Sequence, residues 1–260
     1  MKITRIKSIP LLFIFTLFFT YTHAFEVKDI AHAVDVAGKQ RMFTQRMLKN
    51  YAMVGLGNAF GNPEEDLKRI IYLFEEHLNA LIIFNKDTLT NESLLKVQTL
   101  WIPIKLSLSK TPTKANAGKM QEDLETLLKQ ANDATQLFAK QTGKASGEII
   151  NISGRQRMLS QRMASLYMFK VWGINDLQFK DKMTKALALF KTSQEKLLAS
   201  TMNTAEIRTL LLQSKKSFMF FEMMNKSTTK FIPTLIYKKS NDILKNMNIV
   251  TGLYVKEENK

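Results

Sequence analysis

The chain has 260 residues, room for one or two domains, and carries 38 Lys and Arg against 23 Asp and Glu, a net charge of +15. With 45% hydrophobic and 23% charged residues it is no disordered chain, and the absence of cysteine excludes disulfides, zinc–thiolate sites and cysteine nucleophiles. Only 10 Gly and 5 Pro punctuate a sequence rich in Met, Leu, Lys and Gln, all good helix formers, so the expected fold class is all-α.

Residues 1–24 read as a signal peptide. Lys2, Arg5 and Lys7 form a positive n-region, Ile9 to Tyr21 an apolar stretch, and Thr22-His23-Ala24 a small-residue site for a cut after Ala24. The apolar stretch is shorter than the ~20 residues that span a bilayer, which favours cleavage over a retained anchor. The expectation is an exported, periplasmic protein that does not span the membrane after cleavage. Losing the three basic residues leaves a charge of +12. That charge favours anionic partners, although a generally lysine-rich surface accounts for it as well. No basic run with interleaved aromatics points to nucleic acid.

A first helix is expected from Lys28 to Gly55, ending at Gly55, Gly57 and Gly61. Asn62 and Pro63 open the second, with Glu64, Glu65 and Asp66 complementing its positive end. Its stripe Leu67, Ile70/Ile71, Phe74, Leu78, Leu81 and Ile82 has helical spacing. A third is expected from Asn91 to Ser109, bending at Pro103, and a fourth from Asn116 to Gln141 after the loop Lys110 to Lys114. The plan then repeats, with Gly173 and Asn175 separating the next two helices. Gly38-Lys-Gln-Arg-Met-Phe-Thr-Gln-Arg-Met47 returns as Gly154-Arg-Gln-Arg-Met-Leu-Ser-Gln-Arg-Met163, an offset of 116 residues. The same offset pairs Tyr51 with Tyr167, Leu73-Phe74 with Leu189-Phe190, and Leu128-Lys129 with Leu244-Lys245. One register held this long implies two tandem four-helix bundles, residues 28–143 and 144–259. If Gly143 to Gly147 forms a turn, the bundles lie side by side with their first helices parallel; if the helix continues, they stack end to end. The two glycines favour the turn.

In each first helix an Arg and a Gln sit mid-stripe among small and apolar residues: Gly38, Arg41 and Gln45 in one copy, Gly154, Arg157 and Gln161 in the other. Neither Arg has a carboxylate three or four residues away. A buried guanidinium needs a counter-charge, either a bound anion held in bidentate fashion or a carboxylate from another helix. Arg46 and Arg162 lie on a different face and are read as interhelical or surface pairs, His32 and His77 as structural or surface residues, and Met42, Met47, Met158 and Met163 as core filling.

The second-copy segment from Gly154 to Met163 resembles the signature of PilJ/NarX-type periplasmic sensor domains, the four-helix modules of type IV pilus chemoreceptors and of nitrate/nitrite sensor kinases. Ala31-His-Ala-Val-Asp-Val-Ala-Gly38, leading into Arg41-Met42, is similar to the P-box of the nitrate sensors. In those sensors the Arg of the Arg-Met pair contacts nitrate at a dimer interface, so the resemblance implies a nitrate- or nitrite-like anion contacted by Arg41 and Arg157, with Gln45, Gln161, Gly38 and Gly154 beside it. It also implies a separate membrane-bound sensor kinase or chemoreceptor as partner, since the sequence holds no kinase or signalling domain of its own. The competing reading is a structural or interaction protein docking on a receptor or envelope component, with the motif arginines as internal ion pairs; a carboxylate within ~3 Å of each Arg would favour it. An enzyme is not expected: there is no metal-ligand cluster and no Ser/His/Asp constellation, and no cofactor is implied.

Overall fold

The computed structural model describes residues 25–174, 178–226 and 232–258. The signal-peptide reading of residues 1–24 and the role of Asn175 lie outside these residues. Eight helices and no strand are found among the described residues: α1 (Ile30–Gly55), α2 (Pro63–Phe84), α3 (Thr88–Leu108), α4 (Lys114–Gln141), α5 (Ala145–Val171), α6 (Phe179–Leu198), α7 (Ala205–Lys226) and α8 (Pro233–Glu258). None is long and apolar enough to cross a membrane.

Side-chain caps set several boundaries that apolar periodicity places less sharply. Asp29 accepts from the His32 amide at 2.7 Å and starts α1 two residues later than expected. Asp87 accepts from the Thr90 amide at 2.9 Å and Thr113 from the Asn116 amide at 3.3 Å, so α3 and α4 begin earlier, at Thr88 and Lys114. α3 runs through Pro103 on an exposed face, where the carbonyl that proline's missing N–H leaves free is open to solvent. Gly61 and Asn62 are both left-handed (φ 74° and 52°), reversing the chain just ahead of Pro63 at the start of α2.

Within residues 25–142, α1 packs on α2 and α4, and α3 on α2 and α4; α5 to α8 repeat this arrangement. Gly143, at φ 65°, supplies the turn that sends α5 back antiparallel to α4 and therefore parallel to α1. The two bundles lie side by side, and their most extensive interface is α1 against α5. Twenty of the 26 residues of α1 are buried, leaving it no solvent face. One apolar core runs unbroken through both halves.

Candidate functional site: an arginine seam between the bundles

α1 and α5 meet in register at their glycines. A Cβ placed on Gly38 would lie 3.9 Å from the Cα of Gly154, so the two backbones run close together there. The room left beside this crossing is filled by two guanidinium groups. A Cβ on Gly38 would stand 3.1 Å from Arg157 Nη2 and 3.4 Å from Arg41 Nη2. Both arginines are fully buried.

Their hydrogen bonds obey the same 116-residue symmetry as the sequence. Arg41 donates from Nη1 to Asn132 Oδ1 at 3.0 Å and from Nη2 to the carbonyl of Asn151 at 3.1 Å. Arg157 donates from Nη1 to Asn248 Oδ1 at 3.3 Å and from Nη2 to the carbonyl of Asp35 at 3.2 Å. Each Arg thus reaches across the seam to the opposite helix and outward to the last helix of its own bundle. Both Nε atoms are buried without a partner.

The symmetry fails at one position. Asp35 places Oδ1 2.7 Å from Arg157 Nη1 and Oδ2 2.9 Å from Lys39 Nζ. Despite its burial, Arg157 and Lys39 hold the Asp35 carboxyl down at about 2. Asn151, its counterpart, brings no charge, and no carboxylate forms an ion pair with Arg41 among the described residues. Burial, reinforced by the charges of Arg155 and Arg157, pushes the Arg41 guanidinium down to about 9, so it remains charged at neutral pH. A buried cation held only by neutral oxygens costs several kcal/mol.

Gln45 and Gln161, expected beside the arginines, lie one turn along and serve a second polar layer. Gln45 donates to Glu125 at 3.3 Å and accepts from Ser165 at 3.4 Å. Gln161 donates to the Ser240 carbonyl at 3.0 Å and accepts from Lys49 Nζ at 2.6 Å. Lys49 is fully buried, donates also to Asn241 Oδ1 at 2.8 Å, and lies 4.2 Å from the Tyr237 ring centroid. Burial lowers its pKa well below the usual lysine value. A third, outer layer holds Arg46 and Arg162 in ion pairs, as their position off the stripe implies: Arg46 with Asp66 at 2.7 Å and Arg162 with Glu125 at 2.7 Å. His77 is buried against Phe25 and Phe43, a structural position.

The chain matches the family described as PilJ, type IV pili methyl-accepting chemotaxis transducer N-term, over residues 25–142 and again over 138–205. It belongs to the PilJ family. Comparison with curated proteins and with solved structures found no match. PilJ modules are periplasmic sensor domains of chemotaxis transducers, which accords with a sensory rather than a catalytic role. The first match spans α1 to α4, while the second ends at the start of α7. The part most recognisably PilJ in both halves is therefore the helix pair that includes the arginine helix.

Of the residues singled out from the sequence, the PilJ seam gathers Gly38, Arg41, Gly154 and Arg157 at one point and sets Gln45 and Gln161 apart from it. Both arginines are closed off completely, because α1 and α5 cover each other. A carboxylate sits within ~3 Å of Arg157 but not of Arg41. The residues that complete the site, Asp35, Asn132, Asn151 and Asn248, were not singled out. Two Asn 116 residues apart, and an Asp-to-Asn change three residues ahead of the shared Gly-x-Gln-Arg-Met segment, were the available signals. Among the described residues no group of three acidic or histidine side chains is placed to hold a metal.

Proposed function

We propose that this PilJ-family chain is an exported sensor-type binding protein that takes one small monovalent anion, of the nitrate or nitrite kind, at the seam between α1 and α5. It reports the occupancy to a separate membrane-bound partner, a sensor kinase or chemoreceptor. The observation that carries this reading is the charge imbalance of the seam: two buried guanidiniums face each other over a glycine crossing, and the carboxylate beside them, Asp35, pairs with Arg157 and not with Arg41. Arg41 is left without a paired carboxylate among the described residues, and Arg41 Nε and Arg157 Nε still lack acceptors. A planar anion with several oxygens answers both needs. Since the seam is closed, uptake requires α1 and α5 to part and repack, which couples binding to a shift between the two bundles.

A second reading draws on the Arg157–Asp35 pair: the seam is an internal polar lock, and the chain acts by docking on an envelope component. Calorimetric titration and thermal melts with nitrate, nitrite, chloride and acetate at fixed ionic strength separate the two. The sensor reading expects one equivalent of nitrate or nitrite to bind and raise Tm, and Arg41→Ala to abolish this with helicity retained. Asp35→Asn, which removes the internal carboxylate, should lower Tm without anion and enlarge the anion-induced rise. Melts of wild type and D35N that ignore all four anions would leave only the lock.

A further inference from the structure

Arg41's outer partner Asn132 and its cross-seam partner Asn151 both reach the wall of a groove that runs along α5 between α4 and α6. Its two lobes have volumes of about 470 and 340 Å³ and share Gln136, Arg155 and Leu189. The larger lobe is lined by Lys140, Lys144, Arg155 and Lys196, against one carboxylate, Glu148. Lys144 is tied to Glu258 at 3.3 Å, which leaves three cations facing a single acid. Arg155 is half-buried, and the carboxylate that acts on it, Glu148, does so through space without a hydrogen bond.

Asn151 is the second observation. It lines the lobe at 7% exposure, and its side-chain amide has no hydrogen-bond partner among the described residues, Oδ1 being buried and unpaired. With no partner holding it, the amide can turn its N–H2 toward an acceptor that a ligand brings, and it marks a place where a partner is missing.

The other bundle shows what fills the equivalent space. There Arg155 becomes Lys39, Asn151 becomes Asp35 and Ser193 becomes His77. Asp35 neutralises Lys39 at 2.9 Å, and Phe25 stacks on His77 with ring centroids 4.3 Å apart. The first bundle is thus closed by its own carboxylate and its own ring. In the second bundle the carboxylate is absent, the histidine is a serine, and a basic hollow remains.

We propose that the α4–α5–α6 groove is a binding site for a small organic dicarboxylate of four to six carbons. One ligand carboxylate takes the place by Arg155 that Asp35 takes by Lys39, with the Asn151 amide beside it. The other reaches Lys140 and Lys196. Three cations less one carboxylate leave two charges to neutralise, which selects a dianion. A volume of about 470 Å³ with Ala139, Ile152 and Leu189 in its wall suits a carbon chain better than an inorganic ion. This site is distinct from the Arg41–Arg157 seam and stands whether or not the seam takes nitrate.

The test is calorimetric titration of the full chain with succinate, malate and citrate, with sulfate and acetate as controls at matched ionic strength. One equivalent of dicarboxylate is expected to bind. Arg155→Gln and Lys196→Gln should each weaken it about tenfold, and Glu148→Gln should tighten it, a gain that damage to the fold does not mimic. Circular dichroism confirms folding, and any nitrate response of the seam should survive R155Q but not R41A. The proposal is overturned if no dicarboxylate binds, if R155Q binds as wild type does, or if sulfate competes equally.

Discussion

Asp35 and Asn151 stand 116 residues apart at equivalent points of the seam, and a single charge distinguishes them. That charge gives the molecule part of its acid sensitivity. The Asp35 carboxyl is held at about 2, below its unfolded value near 3.8, so its contribution is complete above ~3.8 and is lost as pH falls from there towards 2. His77 acts at milder pH. Burial between Phe25 and Phe43 pushes its imidazole down to about 3, and its Nδ1 has no partner. Below ~6.5 the unfolded chain binds a proton that the folded chain refuses until pH approaches 3, so stability falls across that window. At ~1.4 kcal/mol per unit the loss over the whole window is on the order of 5 kcal/mol. His77→Phe keeps the stacking and removes the titration; urea unfolding between pH 7 and 4 should show a steep decline in wild type and a shallower one in H77F. Equal slopes would mean that His77 is accessible to protons in the folded state. Asp35 escaped the sequence reading, and His77 was read as structural or surface without its surroundings, for the same reason. Asp35 is six positions from Arg41 on its own helix but serves Arg157, and His77 is buried by a segment preceding α1, so neither environment is visible along one helix.

At the scale of elements, the α1–α5 crossing depends on glycine where α4 does not. Gly38→Ala would set a methyl 3.1 Å from Arg157 Nη2 and 3.4 Å from Arg41 Nη2, and Gly154→Ala one 3.0 Å from Arg157 Nη2. Each guanidinium is pinned at both ends by hydrogen bonds, so the helices must separate, and a loss of about 1–3 kcal/mol is expected for either change. Gly118 in α4 has open space around it, and G118A should instead gain about 0.5–1 kcal/mol from helix propensity. Chemical denaturation of the three variants checks the contrast; a stabilised G38A would show that the crossing is looser than its distances indicate. The helices themselves were legible because their signals are local: Pro63 at a start, Gly143 at a reversal, and apolar spacing of three and four. The repeat register was legible as well, and it carried the pairing of Arg41 with Arg157. The second polar layer was not. Lys49 in α1 has Ser165 as its counterpart, and its acceptors come from α5 and α8, so only the assembled fold explains a fully buried lysine.

At the scale of the whole molecule, the question is whether the two bundles behave as one body. α1 is buried on every side, most extensively by α5, and the seam carries charged and amide groups that water would claim if the bundles parted: Arg41, Gln45 and Lys49 on one side, Arg157 and Gln161 on the other. Parting would also divide a continuous core at its broadest interface. These terms favour one cooperative unit over two independent domains, although each repeat is long enough to hold a core of its own. Scanning calorimetry should accordingly give a single transition with calorimetric and van't Hoff enthalpies in agreement. The far end of the seam supplies the control. The Trp172 ring occupies the space that a Cβ on Gly55 would need, so Gly55→Leu should pry α1 from α5 there while leaving each bundle's internal packing intact. The expected result is a lower first transition separating from a second. Two resolved transitions already in wild type would show that the bundles are only loosely joined, and an anion bound at the seam would then have no rigid body through which to be felt at the outer helices.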